Sequence, residues 1–490
     1  MTKLKNSRIF PVFLSILLLL TIQPNISAIS IEQEKKARQQ FLLDVKKHLN
    51  VIDDPYIRDF INDFGKYLAQ YVETKHFDFD FYVINEDELN AFAGPGGVVF
   101  VYSGLIRVMD EVDELASVIC HEIAHVSSRH ISQNADKYYK LGLATMVGIL
   151  AGALIGGDAA NAIMTGSIAA GQQKQLAYSR EAERQADQVG YNYITKSGFN
   201  PMAMKKALMK IQQSRWGMSD FPAYLSTHPL GPERISNIET MLSFPTVIPA
   251  KEEVIKFRKT YPLFRTVIMT KYNGNDDMVN YYRSELSKSP DSPLNHFGLA
   301  LALTRKGNYH ESIEHYKTAI KGLAEPLIVY KYLSEAYLLN GQTGEAVSAL
   351  EKALELSPND RVILASLAQS YQKDGMYGKA IEFYEKLKYM PSAGNDIFYN
   401  LGYSYGKEGK LGLAHYNFGI YHTKVHNMRE ADFHFNEAKR EAGGNPDLLK
   451  KIEEALKKLK EQKKKKTGDE IAPPEPGKSW QVRGISRNAG

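Results

Sequence analysis

The spacing of apolar and polar positions divides the chain into stretches of different character. Residues 31–75 carry Leu, Ile and Tyr at helical spacing among Lys and Glu, which predicts two helices split near Asp53-Asp54-Pro55. Residues 78–84 (Asp-Phe-Asp-Phe-Tyr-Val-Ile) and 97–102 (Gly-Val-Val-Phe-Val-Tyr) read as strands, the second preceded by the turn-like Asn90-Ala91-Phe92-Ala93-Gly94-Pro95-Gly96. Val112, Leu115, Ile119, Ile123 and Val126 then recur every three or four residues, the stripe of an amphipathic helix. Residues 141–170 are strongly apolar but built from Gly, Ala, Leu and Ile, and Asp158 and Asn161 interrupt them. They are expected to form a buried or surface-lying helical hairpin rather than a membrane span. A second amphipathic helix is expected over roughly 178–197, more helix to about 243, and a weakly patterned bridge over 244–290.

From about residue 292 a period takes over. Gly307, Gly341, Gly375 and Gly409 are spaced 34 residues apart. Seven residues before each stands a small residue (Ala300, Ser334, Ala368, Gly402), and four before each a leucine or tyrosine (Leu303, Tyr337, Tyr371, Tyr405). Five after come Ser312, Ala346, Ala380 and Ala414. A 34-residue period with small residues where paired helices cross is the tetratricopeptide pattern. Residues 426–462 are expected to add a helix pair or cap. The basic end with Ala472-Pro473-Pro474-Glu475-Pro476 reads as a disordered tail.

Composition changes this picture little. At 490 residues the chain implies two or three domains. The net charge of +5 loses its meaning once located. Lys3, Lys5 and Arg8 supply three charges and residues 451–466 a net five, leaving −3 for the rest. Nothing there indicates a nucleic-acid surface. The basic start, the apolar run Ile9–Ile22 and the small residues at Ser27-Ala28 read as a cleaved signal peptide, implying export. The alternative is an uncleaved anchor. The only cysteine is Cys120, so no intramolecular disulfide forms.

The chemistry is carried by His121-Glu122-Ile123-Ala124-His125. Positions four apart on a helix share a face, so both imidazoles can reach one zinc ion, with Glu122 beside it to take a proton from water. A catalytic zinc needs a third protein ligand and an open position. Residues 179–187 (Ser-Arg-Glu-Ala-Glu-Arg-Gln-Ala-Asp) lie on a predicted helix, where Glu183 is the natural third ligand and Glu181 competes. Asp187, four residues on, can receive the outer N–H of a ligating histidine. His228, in Thr227-His228-Pro229, has three readings. It donates to the oxyanion of the tetrahedral intermediate, it occupies the open zinc position and holds the enzyme latent, or it is a loop histidine without a role. Arg180 and Arg234 either pair with Asp187 or a substrate carbonyl or lie at the surface. The strand within 90–104 is expected to be exposed near the zinc, where it can take up an extended peptide by strand addition, to be a core strand, or both.

These residues, with Asn90-Ala91-Phe92-Ala93-Gly94-Pro95-Gly96-Gly97 upstream, resemble the HExxH…ExxAD zinc peptidases. That family includes the CAAX prenyl protease and the HtpX and Oma-type quality-control proteases. The resemblance covers residue 29 to about 440. It implies His121, His125 and Glu183 as ligands of one Zn2+ and Glu122 as the catalytic residue. The N-terminal signal and C-terminal repeats look most like its periplasmic, chaperone-like members. This implies a zinc metalloendopeptidase acting on unfolded outer-membrane β-barrel proteins, docked to the outer-membrane assembly machinery through its repeats. A latent protease serving as chaperone or scaffold is the alternative, with peripheral membrane contact through 141–170 as a further partner surface. The multiple membrane spans of the prenyl protease and HtpX types are missing.

The expected fold class is α+β, mainly α: a zincin-type metallopeptidase domain with a small β-sheet, then an all-α tetratricopeptide solenoid. The expected divisions are a signal peptide (1–28), the peptidase domain (29–245), a connecting segment (246–291), the repeats (292–445) and a basic, proline-rich, disordered tail (446–490).

Overall fold

The computed structural model describes residues 30–130, 132, 179–213, 223–229, 232–244, 247–272, 277–390 and 394–468. The signal peptide and the apolar stretch 141–170 lie outside the described residues. Those described are mostly helical with one small sheet, and they gather into two compact units that part between Ala324 and Glu325. Among them no helix is long and apolar enough to cross a membrane.

In the first unit, helices α1 (Ile31–His48) and α2 (Pro55–Ala69) are split as expected. Asp54 caps α2 by accepting from the Tyr56 N–H, and Pro55 opens the helix. The sheet has the order β1-β3-β2, with β1 (Asp80–Ile84) parallel to β3 (Val98–Tyr102) and β2 (Ala91–Gly94) antiparallel to it. Phe92 faces Phe100 in the β2–β3 register. Gly96 and Gly97 turn the chain at φ +72° and +89°, and a Cβ on Gly97 would stand 2.7 Å from the Asp78 carbonyl. Strand β3 is central and buried at every position, which matches the core-strand reading of that stretch and not the exposed one. Its run of β-branched and aromatic residues suits a strand enclosed on both faces. The edge belongs to β2, which hides in the turn-like residues before it.

After the short helix α3 (Ser103–Val108) comes α4 (Val112–Ser127), opened by a reciprocal cap between Glu111 and Glu114. From Val112 to Val126 every residue of α4 is buried. It lies against β2 and β3 on one side, and against α2, α5 (Arg180–Ser197) and α6 (Met202–Gln213) on others. Where α4 and α5 cross, α5 carries Gly190, whose Cβ position would be 3.3 Å from the Cys120 carbonyl and the His121 backbone. A side chain at 190 would make the α4 backbone give by a few tenths of an ångström. Cys120 itself is wholly buried, and burial pushes its thiol far above the usual range. Helices α7 (Ala223–Thr227) and α8 (Pro232–Leu242) follow.

The bridge expected over 244–290 is instead two helices, α9 (Glu252–Lys271) and α10 (Met278–Lys288). Helix α9 buries Tyr261, Leu263, Phe264, Val267 and Ile268 on more than one face, and Pro262 interrupts it, so no single stripe betrays it. It stacks Phe264 on Phe60 of α2 at 4.0 Å, and its Arg258 pairs with the buried Asp113 of α4 at 2.7 Å.

Helix pairs α11 (Pro293–Arg305) and α12 (Tyr309–Gly322) close this unit. The second unit continues with α13 (Leu327–Leu339), α14 (Thr343–Leu356), α15 (Arg361–Lys373), α16 (Tyr377–Leu387), α17 (Asp396–Lys407), α18 (Leu411–Lys424), α19 (Met428–Arg440) and α20 (Pro446–Gly468). Each periodic glycine sits between the helices of a pair at positive φ, and Gly443 adds a fifth such turn 34 residues after Gly409. The described chain stays helical to Gly468, so the disordered tail does not start at 446. Leu448, Ile452 and Leu459 of α20 are buried with Ala431, Phe435 and Ala438 of α19, and that apolar face holds the helix.

Candidate metal centre

Helix α4 presents His121 and His125 one turn apart, and α5 presents Glu183 and Asp187 one turn apart on the facing side. His228 lies just past the end of α7, and α8 supplies Arg234. All of these side chains are buried. The Nε2 atoms of His121 and His125 lie 3.0 Å apart, His121 Nε2 lies 3.4 Å from Glu183 Oε2, and His125 Nε2 lies 3.3 Å from Glu183 Oε1. Corners of a tetrahedron with bonds of about 2.0–2.1 Å stand roughly 3.3–3.4 Å apart, so these spacings are of the size a metal site needs, each histidine facing a different oxygen of Glu183. His228 Nδ1, 3.0 Å from Glu183 Oε1, joins the set, and one donor from each of the four lies within 4.8 Å of the others.

A surrounding network fixes these groups. Asp187 Oδ1 is 3.0 Å from Nδ1 of His121. Arg234 holds Asp187 through Nε at 2.7 Å and Nη2 at 2.9 Å, and reaches Glu183 Oε2 with Nη1 at 2.7 Å. Burial and Arg234 pull the His121 imidazole down, but Asp187 and Glu183 outweigh them and raise it to about 9. Burial alone would raise Glu183, yet His228, Arg234 and His121 hold it well below the usual carboxylate range. Burial keeps His125 well below the imidazole range in spite of Glu183 beside it. Glu122 differs: neither of its oxygens has a hydrogen-bond partner among the described residues, and burial raises its carboxyl. His228 Nε2 stands 3.5 Å from its Oε1. A buried carboxyl without a hydrogen-bond partner, beside a cluster of metal-ligating side chains, has the environment that suits proton transfer.

The structure thus brings together His121, Glu122, His125, Glu183, Asp187 and His228. Glu181 instead turns outward to Arg184 at 2.7 Å, and Arg180 is exposed and pairs with Glu233 at 3.2 Å. Arg234 is buried at the centre of the network. Two neighbours escaped the sequence reading. Tyr224 stacks its ring on His228 at 4.5 Å, and His130 lies 2.9 Å from His125, Nδ1 to Nδ1. The available signal for His130 is a third histidine five positions after His125, off the helical spacing of the motif.

Fold and site together define a metallopeptidase domain joined to helical repeats. The model of peptidase family M48 matches residues 59–242, and tetratricopeptide-repeat models match 297–361 and 363–392. The chain carries an M48 peptidase domain followed by tetratricopeptide repeats. It is 35% identical over 215 residues to a Yersinia pestis protein named beta-barrel assembly-enhancing protease, covering 43% of this chain and 44% of that one. The Escherichia coli (strain K12) protein of the same name is 32% identical over 232 residues, 46% and 48% of the two chains. Mitochondrial metalloendopeptidase OMA1 of Schizosaccharomyces pombe is 28% identical over 188 residues, 38% and 53%. The match spans about half the length of each of these relatives.

Proposed function

We propose that the protein is a zinc-dependent endopeptidase of the Gram-negative cell envelope. It acts on misfolded or stalled outer-membrane β-barrel proteins, and its repeats dock partners, the assembly machinery among them. The observation that carries the catalytic part is the buried cluster of His121, His125 and Glu183: the two Nε2 atoms lie 3.0 Å apart, His125 is 3.3 Å from Glu183 Oε1 and His121 is 3.4 Å from Glu183 Oε2. On this reading those three hold the ion and Asp187 orients His121. When bound, zinc supplies Lewis acidity toward a peptide carbonyl and brings water to a pKa of about 7. Glu122 takes the proton of the attacking water and returns it to the leaving amine, a role that suits its buried, unpartnered carboxyl. The relatives named beta-barrel assembly-enhancing protease support the substrate class and the envelope setting.

One observation favours a second reading. His228 lies within the donor set, and four donors fill a tetrahedral site, whereas a catalytic zinc keeps one corner open. With His228 in place the protein rests as a latent protease and serves mainly as a chaperone or scaffold. When His228 moves off, its ring can donate to the developing oxyanion.

Zinc content and cleavage of unfolded outer-membrane β-barrel protein test both. The wild type is expected to hold about one zinc per chain. Glu122→Gln should keep the zinc and lose about 10²–10⁴-fold in cleavage rate. Full cleavage by Glu122→Gln sinks the assignment. Faster cleavage by His228→Ala than by wild type supports latency, and slower cleavage supports oxyanion donation.

A further inference from the structure

His130 has no part in the site as assigned so far, yet the chain takes trouble to place it. Just past α4, Arg129 turns the backbone at φ +55°. Arg129 Nη2 lies 3.3 Å from Oε2 of Glu34 on α1, and the Ser132 hydroxyl donates to the same oxygen. Glu34 is buried, so this clamp holds the turn from inside. The His130 ring is thereby buried against α4. Its Nδ1 lies 2.9 Å from Nδ1 of His125, and its Nε2 lies 3.0 Å from Oε1 of Gln185 on α5.

Two neutral imidazole nitrogens at 2.9 Å form a hydrogen bond only if one carries the proton and the other a lone pair. The Gln185 carboxamide oxygen can only accept, so Nε2 of His130 carries that ring's proton and donates it. Nδ1 of His130 is then an acceptor. His125 must donate from its own Nδ1, which leaves the lone pair of its Nε2 facing His121 Nε2 at 3.0 Å and Glu183 Oε1 at 3.3 Å. The opposite arrangement would put a proton where the ligand lone pair is needed.

We infer that His130 and Gln185 form a positioning relay that fixes the tautomer and ring orientation of His125 for metal binding. The inference rests on the zinc reading above. It also accounts for an asymmetry: His121 is oriented by the carboxylate of Asp187, His125 by a neutral ring. The buried site already holds Glu122, Glu183 and Asp187 against Arg234, and another buried anion would add a desolvation cost. A neutral relay supplies direction without charge.

The test is zinc affinity of the full chain, measured by competition with a chromophoric chelator, together with the visible spectrum of the cobalt-substituted protein. His130→Phe fills the ring volume without an acceptor. His130→Asn places its Oδ1 near the former Nδ1 and can still accept from His125. The Phe variant is expected to bind zinc about 10–100-fold more weakly and to alter the cobalt spectrum. The Asn variant should stay close to wild type in both. Equal affinities in all three proteins, or equal losses in Phe and Asn, overturn the relay. Gln185→Leu, which leaves the His125 ring untouched, is expected to weaken zinc binding in the same direction. If His130→Phe fails to fold, Gln185→Leu decides, and unchanged affinity there overturns the relay. A wild type that holds no zinc overturns the metal reading and the relay with it.

Discussion

The site region and the repeats bury their polar groups in opposite ways. In the repeats the buried side chains that are not apolar are mostly hydroxyls, satisfied within their own helix or by a neighbouring one, as where Ser312 donates to the Ala300 carbonyl and Gln372 donates to Ser404. Ser334 donates to the Lys331 carbonyl three residues back, and Ser370 to Ser366 four back. Around the metal centre the buried groups are charged and their partners are distant in sequence: Arg234 with Asp187 (47 residues), Lys210 with Glu114 (96), Arg258 with Asp113 (145). Local satisfaction lets each helix pair stand on its own sequence and its neighbours. Long-range charge pairs form only when the whole unit is assembled, and each costs desolvation unless all partners arrive. The repeats are therefore built for tolerance, and the site for all-or-none geometry.

Removing the central cation strikes this contrast hardest. Arg234→Leu leaves Glu183 and Asp187 buried without their guanidinium, with only the histidines beside them. It is expected to cost about 3–5 kcal/mol in urea unfolding of the metal-free protein. A loss below about 1 kcal/mol, the value of an exposed pair, would show that the network is not interlocked.

Proton linkage sharpens the contrast next. The metal-free His121 titrates at about 9, above the 6.5 of an ordinary imidazole. Its stabilising contribution is full below pH 6.5 and is lost as pH rises through about 9. A bound metal displaces that proton. Zinc affinity should therefore rise about tenfold per pH unit between these limits and then level off. Affinity that is flat over this window, measured by chelator competition, would show that Asp187 and Glu183 do not hold His121 protonated in the metal-free site.

The smallest expected effect lies in the repeats. Gly375 turns at φ +76° with open space where a Cβ would stand, so Gly375→Ala meets backbone strain and no clash. It should cost about 1–2 kcal/mol in unfolding of the repeats and leave zinc affinity unchanged. A change in zinc affinity would break the separation drawn here.

The same contrast explains what could be read in advance. His121, His125, Glu183 and Asp187 were legible because helical spacing of four puts each pair on one face. The turn glycines were legible because their period repeats. Strand β2 was not, since Ala91-Phe92-Ala93-Gly94 is short and merges with the following Pro95-Gly96-Gly97. Helix α9 was not, because burial on several faces erases the stripe that announces a helix. Arg234 was legible as one of two candidate partners for Asp187, with a surface role left open, and what decides between them is α8 folding back over α5. His130 depends on a left-handed turn at Arg129 and a clamp from residue 34, neither of which has a periodic signature.

One consequence concerns the thiol of Cys120. It is the chain's only cysteine, fully enclosed, and its neighbour in sequence is His121. An alkylating reagent can reach it only when α4 lifts from its surroundings. The unmodified protein therefore carries its own stopwatch: the rate of thiol labelling, read by mass, times the opening of the very helix that bears His121, Glu122 and His125.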